Sequence, residues 1–227
     1  MDEILVFYGL AILGFIIVLW AQINISNNYK KYRTIKVKSG LTGQEVARKI
    51  LDANGLGDVH VVETRGELTD HYDPKRKVVR LSTAIFHEDS ISSVGVAAHE
   101  CGHAIQDKEG YSFMRIRSAL VPFVNLVSYL GYFGLFISIL GGLTGYLKLS
   151  ILILVVTILF QLVTLPVEFD ASKRAKEQLI NLGIVDNSEH EKVSKVLFAA
   201  AMTYVAGLIS KLLQLLRIII LLKGRDD

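Results

Sequence analysis

Three stretches without a charged residue, Ile4 to Ile23, Ala119 to Gly142 and Leu149 to Val167, constrain this chain more than any other feature. Each is about twenty residues long, enough for a helix rising ~1.5 Å per residue to cross a ~30 Å hydrocarbon core. Lipid offers the backbone no hydrogen-bond partner, so such spans must be helical. With 51% hydrophobic residues, three prolines in 227 residues and a mean hydropathy of +0.41, the chain is too apolar for a soluble domain of this length. Asp2 and Glu3 stand where a secretory leader carries its basic segment, and the basic residues Lys30, Lys31, Arg33, Lys36 and Lys38 come afterwards. Residues 1–23 are therefore expected to be a retained transmembrane helix and not a cleaved leader. The second and third runs, joined by the short segment Gly142 to Lys148, form a transmembrane helical hairpin over residues 119–167.

A fourth apolar segment, Val196 to Leu222, contains Lys211 and Arg217. Thr203, Gly207, Ser210, Gln214 and Arg217 recur at helical spacing as one polar stripe. Residues 196–227 are expected to form an amphipathic or partly inserted helix; the alternative is a crossing helix whose stripe turns toward its neighbours. The basic cluster after the first span puts residues 24–118 on the cytoplasmic side, and Lys173, Arg174 and Lys176 after the hairpin agree. The single cysteine, Cys101, fits a reducing compartment. A net charge of +3 is too small to imply nucleic-acid binding, and is read as a basic collar beside an anionic leaflet of the lipid bilayer.

Chemistry enters at His99-Glu100-Cys101-Gly102-His103. At 100° per residue the two imidazoles fall within about 40° of each other, a turn apart on one helix face, a spacing that suits zinc. Ile91, Val94, Ala97, Ala98, Cys101, Ala104 and Ile105 form an apolar stripe opposite, able to seat the helix in a core. Gly95 and Gly102 flank the histidines, where the missing side chains are expected to let a metal and a substrate backbone come close. Glu100 projects beside the histidines, within reach of a water on the metal. The plainer alternative is an amphipathic helix with two surface histidines.

Between the first span and this helix the pattern changes to a small α+β region. Thr42-x-x-Glu45 is a capping box, Val46, Ala47, Ile50 and Leu51 make a helical stripe, and Gly55 is a stop, giving a helix near residues 43–54. Val59 to Thr64 and Glu67 to His71 flank the turn signal Arg65-Gly66, and Val78 to Ser82 follows Asp73-Pro74. The expected arrangement is a three-strand antiparallel meander. Ser188-x-x-Glu191 opens another short helix after the stop at Asn181-Leu182-Gly183. The fold class is thus a mainly α membrane protein with a small α+β part, an active-site helix beside a short antiparallel sheet, packed on transmembrane helices. Residues 24–118 form the catalytic region and 168–195 a second cytoplasmic helical region.

A catalytic zinc needs a third protein ligand. His60, His71, His87 and His190 are available, each also an ordinary surface residue. Glu168 stands apart, because on a helix it shares a face with Ala171, Ser172, Ala175, Leu179 and Leu182. A carboxylate on an apolar face beside a membrane is costly unless it is paired or bound to a metal.

The set Ala98 to Gln106, a hydrophobic hairpin and then Glu168-x-x-Ala171 resembles the gluzincin membrane proteases that include HtpX and the CaaX prenyl endopeptidases. Adding Leu68 to Pro74 and Leu165 to Phe169, nearly the whole chain resembles the YugP-type bacterial membrane zinc metallopeptidases. The resemblance implies one Zn2+ per chain at His99, His103 and Glu168, Glu100 as general base, and a multi-pass protein of the bacterial cell membrane whose active site is cytoplasmic. It also exposes a departure. The HtpX pattern has an aspartate four residues after the ligand glutamate, where this chain has Ser172; Asp170 faces about 200° away from Glu168, and Asp107 is a weak substitute.

The function expected is a membrane zinc endopeptidase hydrolysing polypeptide substrates in or near the membrane. The oxyanion donor is sought among His71, Tyr72, His190, Arg174 and Tyr204, with His71 and Tyr72 preferred. A proteolytically silent zinc-containing adaptor and a metal transporter or sensor are the rival functions. An intact Glu100 argues against the first, the uncharged hairpin against the second.

Overall fold

The computed structural model describes residues 2–141 and 146–223, with side chains described for 5–131 and 149–220. The elements run α1 Asp2–Arg33, α2 Gly43–Ala53, β1 His60–Thr64, β2 His71–Asp73, β3 Val78–Ser82, α3 Thr83–His87, α4 Ile91–Glu109, α5 Ser112–Gly141, α6 Tyr146–Asn181 and α7 Asn187–Lys223. The fold is mainly helical with a small three-stranded sheet, as expected. The hairpin connection at residues 142–145 lies outside the described residues, and the expected span Ala119 to Gly142 falls partly outside them. Among the described residues three helical segments are long and apolar enough to cross a membrane, Leu5–Arg33, Leu149–Asn181 and Asn187–Ile220.

Contacts divide the chain into two compact units. The first comprises residues 1–22, 115–165 and 203–227. Leu154, Ile158 and Leu208 form its buried apolar cluster. Part of the polar stripe of α7 turns toward neighbouring helices, while Gln214 is exposed: a Cβ on Gly207 would lie 2.5 Å from Gln161 Nε2, Ser210 Oγ fills the space beside Gly14, and Arg217 stacks 4.1 Å over Phe7. Small and polar side chains let these helices approach, the packing device of helices without a hydrophobic drive between them.

The second unit comprises residues 23–114 and 166–202. The capping box forms as expected: Thr42 N donates to Glu45 Oε2 at 2.8 Å and Glu45 N donates back to Thr42 Oγ1 at 3.4 Å. Val46, Ala47, Ile50 and Leu51 are fully buried, and α2 packs its stripe against α4. The segment after α1 is pinned to the start of α4, with Arg33 doubly bonded to Glu88 and Ile91 N donating to Ile35 O at 2.8 Å. Ser90 Oγ caps α4 by accepting from Ser93 N, and Gly110, at φ +64°, ends it.

The sheet differs from the meander. Its order is β1-β3-β2, with β1 parallel to β3 and β2 antiparallel to β3. Arg65-Gly66 does not close a hairpin, because the chain leaves the extended conformation at Gly66 (φ +105°) and Leu68 (φ +55°). The carboxylate of Asp70 then accepts from Ser82 N at 2.7 Å and from Ser82 Oγ, fixing the loop to the end of β3. The true hairpin is β2–β3, where Asp73 Oδ1 accepts from Lys75 N and Arg76 N.

The start of α7 also differs. Its box is Asp186–Glu189 in place of Ser188–Glu191: Glu189 N donates to Asp186 Oδ1 at 2.9 Å, and Asp186 N to Glu189 Oε2 at 3.0 Å. From there a single helix of 37 residues continues without a break at residue 196. No proline interrupts it, and Gly207 is tolerated where Gln161 packs against it.

Candidate metal centre

The motif helix α4 is buried along its expected stripe, with Ile91, Val94, Ala97, Ala98, Cys101 and Ala104 fully inaccessible. Burial pushes the Cys101 thiol up, so this cysteine is a small core residue and not a nucleophile. On the other side His99 and His103 stack edge to face, ring centroids 4.7 Å apart. Facing them is Glu168 of α6, whose Oε2 lies 3.3 Å from His99 Nε2 and 3.7 Å from His103 Nε2. The three donor atoms lie within 4.8 Å of one another, the group among the described residues that could hold a metal ion. Glu168 reaches this point because α6 passes through Pro166 as one helix of 36 residues and buries Ala171, Ala175 and Leu179 beside it.

The donor set fits zinc. Two imidazole nitrogens and one carboxylate oxygen, nearly shielded from solvent, are the three-ligand pattern that leaves a further position open. Each histidine is also held from behind. His103 Nδ1 lies 3.0 Å from Gln106 Oε1, and His99 Nδ1 lies 3.2 Å from Ser172 Oγ. Ser172 thus occupies the place beside His99 that the sequence left in doubt. Gln106 was legible only as a polar residue one turn after His103 on a helix otherwise seated in the core.

The flanking glycines serve a different purpose from the one expected. A Cβ on Gly102 would lie 2.5 Å from the Ala171 carbonyl oxygen, and one on Gly95 would meet Val193 at 3.3 Å. They admit α6 and α7, not a substrate backbone.

A family model described as "Putative neutral zinc metallopeptidase" matches residues 7–223. The chain belongs to this family. A relative described as "Putative membrane protease YugP", from Bacillus subtilis (strain 168), is 45% identical over 223 residues, covering 98% of each chain. No solved structure matches.

In this family member Glu100 is buried beside the three donors, and among the described residues no side chain hydrogen-bonds its carboxylate. Burial pushes the Glu100 carboxyl above the usual carboxylate range; His99 and His103 pull it back, and Glu168 and Asp70 add to the rise. His71 is exposed on β2, its Nδ1 2.8 Å from Thr69 O. Tyr72 is buried, and its hydroxyl donates to Asp107 Oδ2 at 2.8 Å. Lys77 Nζ shares that oxygen, so Asp107 is engaged away from the zinc-type histidines. Neither His71 nor Tyr72 joins the donor cluster, nor do His60, His87 and His190. Arg174 is bound by Asp170 and Glu109.

Proposed function

We propose that this chain is a membrane zinc endopeptidase of gluzincin type, with one zinc held by His99, His103 and Glu168. The observation that carries the reading is the convergence of those three donor atoms beside a second acidic group, Glu100, whose carboxylate has no competing side-chain hydrogen bond among the described residues. Bound zinc would supply Lewis acidity, polarising a scissile carbonyl and lowering the pKa of a water to about 7. Glu100 accepts a proton from the attacking water and returns it to the leaving amine nitrogen. For the oxyanion, His71 is the better donor of the pair on β2. Adjacent residues of a strand face opposite sides, and the Tyr72 hydroxyl is already committed to Asp107.

The substrates assigned are polypeptides in or near the membrane, met on the cytoplasmic side. The basic residues closing α1 and those following Glu168 on α6 support that side. Zinc content and proteolysis of detergent-solubilised wild type and Glu100→Gln test the reading. The expected result is unchanged zinc with hydrolysis lowered by about 10²–10⁴-fold. Full activity in the variant, with contaminating proteases excluded, overturns it.

A further inference from the structure

Gln106 is fully buried on α4, and an amide buried in a core is costly unless its groups are paired. Its Nε2 lies 2.8 Å from the Val167 carbonyl oxygen and 2.8 Å from Asp170 Oδ2. A carbonyl oxygen can only accept, and Asp170 Oδ2 is an acceptor here, since Arg174 Nε, which can only donate, points at the same oxygen from 2.5 Å. Two oxygens therefore demand the amide nitrogen at that end of the side chain. The opposite orientation would set the amide oxygen against both. Oε1 is thereby forced toward His103, 3.0 Å from Nδ1, and an amide oxygen is an acceptor only. Nδ1 must carry a hydrogen, which makes Nε2, turned toward Glu168, the nitrogen available to a metal.

We infer that Gln106 is a positioning residue that locks His103 in its Nδ1–H tautomer, and that Asp170 and the Val167 carbonyl set the orientation of the Gln106 amide. The inference rests on the reading of His103 as a zinc ligand. Helix α6 would then supply both the carboxylate of Glu168 and, through Val167 and Asp170 on either side of it, the anchor that aims the facing imidazole. Arg174, held at its far end by Glu109 of α4 at 2.6 Å, extends the network back across the two helices. Asp170 acts on the histidine at one remove, which reconciles its position about 200° from Glu168 with a part in the site. His99 has a weaker guide, because the Ser172 hydroxyl can donate or accept and so does not by itself choose a tautomer.

The test uses the full chain in detergent with ¹⁵N-labelled histidine, His103 being assigned by difference from His103→Asn. In zinc-loaded wild type the ¹⁵N pattern of His103 should be that of Nδ1–H with no hydrogen on Nε2; a pattern with no hydrogen on Nδ1, in zinc-loaded or metal-free protein, overturns the inference without need of any variant at residue 106. Gln106→Met, similar in shape but without the amide, should mix the tautomers. It should also lower zinc affinity about 10–100-fold in chelator competition, the range for losing a residue that orients a ligand. Gln106→Glu, which keeps an oxygen toward Nδ1 but sets its other oxygen against Val167 O and Asp170 Oδ2, should retain the Nδ1 hydrogen and recover only part of the affinity. Zinc loss in Gln106→Met with His103 still wholly Nδ1–H would mean a packing role only, and overturns the inference. If instead wild type and His103→Asn hold zinc alike, the metal reading fails, while the tautomer measurement still decides the role of Gln106.

Discussion

Gly102 and Ala171 meet backbone to backbone: a Cβ at position 102 would stand 2.5 Å from the Ala171 carbonyl oxygen. That contact sets the distance between the helix carrying both histidines and the helix carrying Glu168. Gly102→Ala must push the two helices apart or strain them, a cost of about 1–3 kcal/mol for overpacking. The expected outcome is a lower unfolding temperature together with at least a tenfold loss of zinc affinity, roughly 1.4 kcal/mol. Chelator competition that finds wild-type affinity would show that the helix separation does not control the site.

Glu168 is nearly buried and faces both imidazoles, so its removal should cost more than the loss of an orienting neighbour. Glu168→Ala is expected to weaken zinc by more than about 10–100-fold. Glu168→Asp should recover only part of this, because the shorter side chain withdraws the oxygen from the two nitrogens. Equilibrium dialysis against buffered zinc separates the three proteins. Equal affinity in wild type and Glu168→Ala would place the third ligand elsewhere.

The proposed topology puts residues 30–115 and 170–195 in the cytoplasm and Thr144 to Lys148 outside. Cys101 is fully buried, so it offers little background to thiol reagents, and Cys101→Ala removes what remains. On that background an impermeant maleimide applied to intact cells should label a cysteine at Lys148 and spare one at Lys36. Labelling of Lys36→Cys alone would invert the arrangement.

Acid should loosen the joint between the α1–α2 connection and the start of α7. The Lys38 ammonium, 2.5 Å from Asp186 Oδ2, together with Glu189 N and the Ser188 hydroxyl, holds the Asp186 carboxyl well below the usual carboxylate range. A folded-state pKa below the unfolded value of about 3.9 stabilises above that value, and the benefit is lost as pH falls through the folded one. The unfolding-temperature gap between wild type and Asp186→Asn should therefore be constant from pH 7 to about 5 and shrink below about 4. A gap independent of pH would show that the carboxylate charge contributes nothing.

Much of the candidate metal centre was legible in the sequence. His99 and His103 share a face because a helix repeats every 3.6 residues, and Glu168 stood out because a carboxylate among Ala171, Ala175 and Leu179 needs a partner. Local chemistry likewise fixed the Thr42 capping box and the buried stripe of α2. Such features depend on residues a turn or less apart, whose geometry the backbone alone dictates.

The rest depended on which segments meet. Arg65-Gly66 has the composition of a hairpin turn, yet β1 pairs with β3, a choice made by Asp70 reaching Ser82 and not by the turn residues. Gly102 reads as an opening for substrate until α6 is found against it. Ser172 and Asp170 looked unable to serve the histidines because a helical wheel gives only direction from the axis; it does not show that Ser172 faces His99 or that Gln106 spans the gap between Asp170 and His103. The sequence by itself determined the candidate donor types, the helical spacing of the histidine pair and the apolar runs, because these follow from short-range periodicity and solvent preference. Only the tertiary structure decided strand order, helix separation and the hydrogen bonds behind each imidazole, because those are set by contacts between residues tens of positions apart.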